Sequence, residues 1–213
     1  MGYPRWVTEL QGSLLDLADE VVVHPLRGVR RTPLAHGAWV DVMAGFVGGA
    51  DLLYAALRRD VAWRAERRQM YDSVVDVPRL LRFYGDGEAL PHPALTQARD
   101  ALSAHYAREL GEPFTTAGLC LYRDGHDSVA WHGDRIGRSR DQDTMVAILS
   151  VGAPRDLVLR PRGGGPSTRV PAGHGDLVVM GGSCQRTWDH CVPKTSKPVG
   201  PRISVQFRPA GVR

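Results

Sequence analysis

From about residue 115 onward, the chain reads as short strand-like runs separated by turn residues. The runs fall at 115–123, 128–134, 144–151, 155–160, 167–171, 176–181, 186–191 and 201–208. Gly163-Gly164-Gly165-Pro166 and Gly181-Gly182 are the clearest breaks between them. Eight short strands at this spacing predict a jelly roll or barrel. Upstream the period changes. Leu95, Ala98, Leu102, Tyr106 and Leu110 recur at helical spacing, Pro93 suits a first turn, and Gly111 is placed to end the element, so His92–Leu110 is expected to be a helix. Ala38–Met43 alternates as a strand, and Asp51 is placed to cap a helix reaching about Arg59. Trp63–Asp86 is polar, aromatic and arginine-rich without a clean period, which suits a surface loop system. Residues 1–37 suggest a short helix near Leu10–Asp19, a strand at Val21–Val23 and a basic turn at Arg27–Arg31. The fold class is therefore mostly β with flanking helices (α+β). An N-terminal extension, 1–37, precedes one domain, 38–213, whose jelly-roll core spans about 115–209.

Composition narrows the function classes. The chain has 213 residues, 43% of them hydrophobic, enough for a sizeable core. No apolar run approaches the roughly 18 residues needed to span a bilayer. The start, MGYPRWVTEL, lacks an apolar signal region, and Trp6 stands where a myristoylation signal needs Ser or Thr. A cytoplasmic location is the expectation, with no membrane contact and no obligate protein partner. Cys120, Cys184 and Cys191 cannot all pair and form no CxxC, so free thiols are expected. Net charge is +4, and all but two of the 27 cationic side chains are arginine. Arginine suits phosphate contacts, but arginine-rich coding gives the same count, so basicity alone identifies no partner.

The candidate chemistry lies in Ser128–Asp134, which ends His132-Gly133-Asp134. On a strand, His132 and Asp134 point to one side, about 7 Å apart. Arg186–His190 offers a third ligand from another strand. Two imidazoles and one carboxylate on one face of a metal leave the opposite face open, the arrangement suited to iron(II) activating oxygen. An HxD triplet is common, and His174-Gly175-Asp176 is a second copy. His190 follows it by 14 positions, room for little more than a hairpin, and Asp176 reads better as a turn residue opening a buried strand. The last strand separates the two copies further. Arg202, Ser204, Gln206 and Arg208 share one face, while Ile203, Val205 and Phe207 share the other. If the polar face lines a barrel mouth, two arginines about 20 Å apart at Cα stand ready for the two ends of a small diacid.

HxD, a distant His and RxSxxxR, in that order, resemble the AlkB family of nucleic-acid dealkylating oxygenases. The resemblance covers roughly residues 60–210. It includes Leu121–Gly125, His174–Gly182, His190–Pro193 and Arg202–Arg208, with the segment Pro78–Gly85 similar to the family's lid. It implies a nucleotide-recognition lid at about 61–90 on the jelly roll, and Fe(II), 2-oxoglutarate and O2 as cofactor and cosubstrates. His132, Asp134 and His190 would bind iron. Tyr122 and Arg202 would hold the distal carboxylate of 2-oxoglutarate, and Arg208 would lie near its other end. Cys120 and Ser204 stand where the family favours asparagine beside the cosubstrate. Arg135-Ile136 follows the HxD, and relatives that repair alkylated adenine and cytosine often carry an acidic residue at the position of Ile136.

The implied reaction oxidises an N-alkyl carbon of a nucleobase and releases succinate, CO2 and an aldehyde. Its partner would be alkylated DNA or RNA, single-stranded or with the base flipped out. Tyr71, Phe83 and Tyr84 are candidates to stack on that base, or else to pack under the lid. Arg67, Arg68, Arg79 and Arg82 are candidates for phosphates or a solvated charged face. Trp131 and Trp188 are expected to pack the barrel. Two alternatives remain open: the same oxygenase chemistry on a protein or small molecule, and a basic nucleic-acid-binding module without catalysis.

Overall fold

The computed structural model of the chain describes residues 20–70, 73–135 and 137–212. The helix expected near Leu10–Asp19, Tyr71 and Ile136 lie outside them. The first half contains β1 (Val22–Val23), β2 (Arg30–Pro33), β3 (Ala38–Met43), β4 (Val47–Gly48), α1 (Ala50–Asp60), β5 (Arg64–Met70), β6 (Ser73–Tyr84) and α2 (Pro93–Leu110). The second contains β7 (Thr116–Tyr122), β8 (Val129–His132), β9 (Val146–Gly152), β10 (Arg155–Pro161), β11 (Thr168–Ala172) and β12 (Asp176–Gly182). It ends with α3 (Cys184–Thr187), β13 (Trp188–Val192) and β14 (Arg202–Arg208). Every strand expected after residue 115 is present.

The strands form a large sheet, β2-β3-β12-β9-β14-β7-β6-β5, and a smaller one, β11-β10-β13-β8. Alternation divides the large sheet's side chains between two cores. Ile203, Val205 and Phe207 of β14, with Leu119 and Leu121 of β7, pack beneath Leu53 and Leu57 of α1 and Leu95, Leu102 and Tyr106 of α2. Cys120, Tyr122, Ile148 and Val178 face the smaller sheet, meeting Leu157, Leu159, Val170 and Val192. Arg31 and Tyr106 clamp the buried Asp41 carboxylate: Arg31 donates twice at 2.8 Å and the Tyr106 hydroxyl once at 2.8 Å. One carboxylate thereby ties β2, β3 and α2 together.

Two local expectations change. Trp63–Asp86 is not a loop system: it holds the antiparallel pair β5–β6, and β6 continues into the large sheet against β7. Its period was hidden because Asp76, Pro78, Arg79 and Arg82 interrupt the apolar residues of β6, which divide between the two cores. Leu80 and Tyr84 pack into the helix-side core, whereas Leu81 packs into the other. The charged residues Arg64, Glu66 and Arg67 lie on β5, the outermost strand, where charge discourages further pairing. Asp51 is not the cap of α1. Gly49 takes that position with a left-handed φ of 63°, and Asp51 instead stands 3.1 Å from His174 Nε2. No helix among the described residues is long and apolar enough to cross a membrane.

Candidate metal centre and the pocket around it

β8 stops at His132, so strand alternation does not explain how His132 and Asp134 meet. A turn does, with Arg135 N–H donating to Gly133 O at 2.8 Å. The turn needs glycine: a Cβ on Gly133 would stand 2.9 Å from Gln185 O and 3.2 Å from Trp188 O. β13 lies beside β8 with His190 directly opposite His132. The two rings are 4.2 Å apart at their centroids. Ligand atoms of His132, Asp134 and His190 all lie within 4.8 Å of one another. His132 Nδ1 sits 2.9 Å from Ala130 O, which places its proton there and leaves Nε2 facing the cluster.

The local field keeps Asp134 and His190 in the states a cation needs. Burial alone would raise the Asp134 carboxyl, but Arg208 and the two imidazoles outweigh it and bring the pKa down to about 2. Burial, reinforced by His132, pushes His190 down to about 3, so it is neutral with a free lone pair. Arg208 fixes the carboxylate by donating from Nε and an Nη to Asp134 Oδ2 at 2.9 and 2.8 Å. Gln185 of α3, 1% exposed, accepts from Asp134 N–H at 3.1 Å. The sequence held no signal for Gln185. Gln185→Leu is expected to weaken metal binding roughly tenfold, read by titration with Mn(II) as probe.

The triad opens onto a pocket lined among others by Arg79, Tyr122, Ile148, Arg202, Ser204 and Arg208. Arg202 is 3% exposed; its Nε donates to Ser150 Oγ at 2.8 Å, while one Nη is buried without a partner. Burial pulls its guanidinium below the usual arginine range. Nearby Arg155 is buried too, but it is satisfied by the carbonyls of Asp124, Asp127 and Pro193. Arg202 therefore has the character of a cation awaiting an anion. Tyr122 lies beneath it, ring centroid 5.2 Å from the guanidinium carbon. Burial pushes the Tyr122 phenol up to about 12, so it stays a hydrogen-bond donor. Cys120 Sγ lies 3.6 Å from Gln206 Oε1, and Gln206 in turn bonds the Ser204 side chain. An N, N, O donor set with one open side, beside an unmatched buried guanidinium, fits iron(II) together with a small diacid.

The remaining candidates separate. Arg79 turns into the pocket, where one Nη donates to Ser128 O at 3.1 Å. Phe83 is 41% exposed and stands across from Gly118, the glycine whose Cβ would lie 3.1 Å from an Arg208 Nη. Tyr84, on the other face of β6, is 6% exposed in the helix-side core, which makes it a packing residue rather than a stacking one. Arg82 pairs with Glu88 and lies over the Tyr84 ring. Arg135 is drawn to Asp189 at 3.5 Å instead of lining the pocket. Trp188 is buried as expected, its Nε1 donating to Ala35 O at 3.1 Å. Trp131 is not: it is 37% exposed and carries the Arg160 guanidinium 4.2 Å above its ring. In the rival triplet, His174 Nδ1 accepts from Gly152 N–H and Asp176 accepts from Gly45 and Gly173 N–H, so both are turn residues.

Known proteins agree with this geometry. Residues 82–208 match the 2OG-Fe(II) oxygenase superfamily. Bovine alpha-ketoglutarate-dependent dioxygenase alkB homolog 3 is 32% identical over 204 residues, covering 85% of this chain and 66% of its own length. Human DNA oxidative demethylase ALKBH2 is 29% identical over 178 residues, covering 75% and 68%. The chain thus spans about two thirds, or slightly less, of the length of the alkB homolog 3 proteins it matches. Among solved structures, OsALKBH1 superposes with a TM-score of 0.57 at 14% identity, covering 84% of this chain and all of that one. A Pseudomonas putida prolyl-4-hydroxylase does so at 0.51 and 24%, covering 83% and 95%. Triad, pocket and matched segment coincide, and the chain belongs to the 2OG-Fe(II) oxygenase superfamily, among its AlkB-type members.

Proposed function

We propose that this chain oxidatively dealkylates N-alkylated bases in DNA or RNA, using Fe(II), O2 and 2-oxoglutarate and releasing succinate, CO2 and an aldehyde. The observation that carries the reading is the triad opening onto a pocket whose wall holds Arg202 with an unmatched buried donor. Relatives called alkB homolog 3 and DNA oxidative demethylase support a nucleic-acid substrate.

In this reading His132, Asp134 and His190 hold the iron, which when bound supplies the oxygen-activating chemistry. The chain's own task is placement. Arg208 holds the Asp134 carboxylate in one orientation, and the Ala130 carbonyl keeps His132 in one tautomer. Tyr122 and Arg202 take the distal carboxylate of 2-oxoglutarate, with Cys120 and Ser204 alongside it and Arg208 toward its other end. Burial excludes water from these contacts and so strengthens them. A base inside a duplex cannot reach so enclosed a centre, so the target is single-stranded or flipped out, lying between Phe83 and the half-exposed His132 ring. Cytoplasmic residence is proposed on the same footing, supported by three buried free thiols.

Arg135 favours a second reading, the same chemistry on a protein or small molecule, because its pairing with Asp189 takes it out of base recognition. Mass spectrometry of N-alkylated single-stranded DNA and RNA, incubated with protein, Fe(II) and 2-oxoglutarate, separates the two. Loss of the alkyl group with one succinate per base is expected. Succinate without any change in the oligonucleotides would transfer support to the second reading.

A further inference from the structure

Pocket-lining donors left without partners are not confined to Arg202. Arg79 Nε is buried and unbonded as well, although one Nη of that side chain reaches Ser128 O. The sheet register explains why the two belong together. On one side of β7, Arg202 pairs directly with Tyr122. On the other, β6 pairs Leu80 with Leu121 and Leu81 with Cys120, so Arg79 follows beside Tyr122 on the pocket face. Two guanidiniums thus flank one phenol, each with an unmatched buried N–H, and both line the same cavity. The carboxylate of Asp134, which belongs to the same site, is already held by Arg208. Two desolvated cations with spare donors call for a shared anion between them.

We infer that Arg79 is a second clamp on the distal carboxylate of the 2-oxoacid cosubstrate, opposite Arg202, rather than a phosphate contact for nucleic acid. The inference rests on the cosubstrate assignment above and goes beyond it. It adds a residue from β6, the strand that also carries the exposed Phe83. Arg79 and Phe83 are four residues apart on the same face of that strand. Cosubstrate binding would therefore pin the strand that presents the stacking ring, so that the cosubstrate organises the base site before the base arrives.

Calorimetric titration with Mn(II) in the metal site tests this without turnover. The probes are 2-oxoglutarate and 2-oxovalerate, the latter carrying a methyl where the former has its distal carboxylate. Arg79→Gln is expected to weaken 2-oxoglutarate binding about tenfold or more and to leave 2-oxovalerate unchanged. Arg79→Lys, which keeps the charge and the stem, should fall between and serves if the glutamine variant does not fold. Equal affinities of wild type and variant for 2-oxoglutarate would overturn the inference, as would an equal loss for both ligands, the mark of a structural role. If the wild type itself does not prefer 2-oxoglutarate over 2-oxovalerate, the cosubstrate assignment falls and the inference falls with it.

Discussion

Replacing His190 with alanine is expected to lower Fe(II)-dependent succinate formation by about a thousandfold or more, roughly 4 kcal/mol of barrier. His190 lies opposite His132 across the β8–β13 pair and is held neutral by burial, and among the described residues only these two histidines belong to the cluster. Removing the imidazole leaves two ligands, His132 and Asp134, with the Asp134 carboxylate still held by Arg208. Single-turnover assays across a range of Fe(II) concentrations check the result. Activity that recovers fully at high Fe(II) would show that His190 contributes affinity alone. Undiminished activity at limiting Fe(II) would remove it from the metal site.

Arg202→Met carries a prediction with two opposite signs. Affinity for 2-oxoglutarate should fall by about a hundredfold, since a charge-assisted pair in a dry pocket is lost. Without cosubstrate, however, the variant should be as stable as the wild type or more so, by up to about 2 kcal/mol. The wild-type protein keeps a desolvated guanidinium in place beside Ser150 and Tyr122, with one Nη that bonds nothing. A thioether of similar length removes that cost and keeps the packing. Urea midpoints with and without saturating 2-oxoglutarate test both halves. The ligand should raise the wild-type midpoint and leave that of the variant unmoved. A variant that is destabilised without ligand yet still stabilised by it would refute the assignment of Arg202.

The strand pattern after residue 115 was legible because short apolar or alternating runs there are bounded by turn residues such as Gly163–Pro166 and Gly181-Gly182. The polar face of Arg202–Arg208 was legible for the same reason. The β5–β6 hairpin was not, since Asp76, Pro78, Arg79 and Arg82 interrupt the apolar residues of β6 and leave neither an alternation nor a continuous run. The same defect hid the difference between Phe83 and Tyr84. They are adjacent in sequence and chemically alike, yet they fall on opposite faces of one strand, one exposed and one in the core.

The residue types of the centre were thus written in the chain itself: an HxD, a histidine far enough downstream to come from another strand, and arginines on the polar face of the last strand. Those choices follow from local chemistry, because ligand type and strand period are properties of neighbouring residues. How Asp134 reaches His132 was decided only in three dimensions, by a turn that Gly133 permits against the backbone at Gln185 and Trp188. The role of Gln185 beneath Asp134, and the inward course of Arg79 beside Tyr122, were decided there too. Each depends on which strand lies next to which, and that register is set by packing between segments remote in sequence rather than by any local preference.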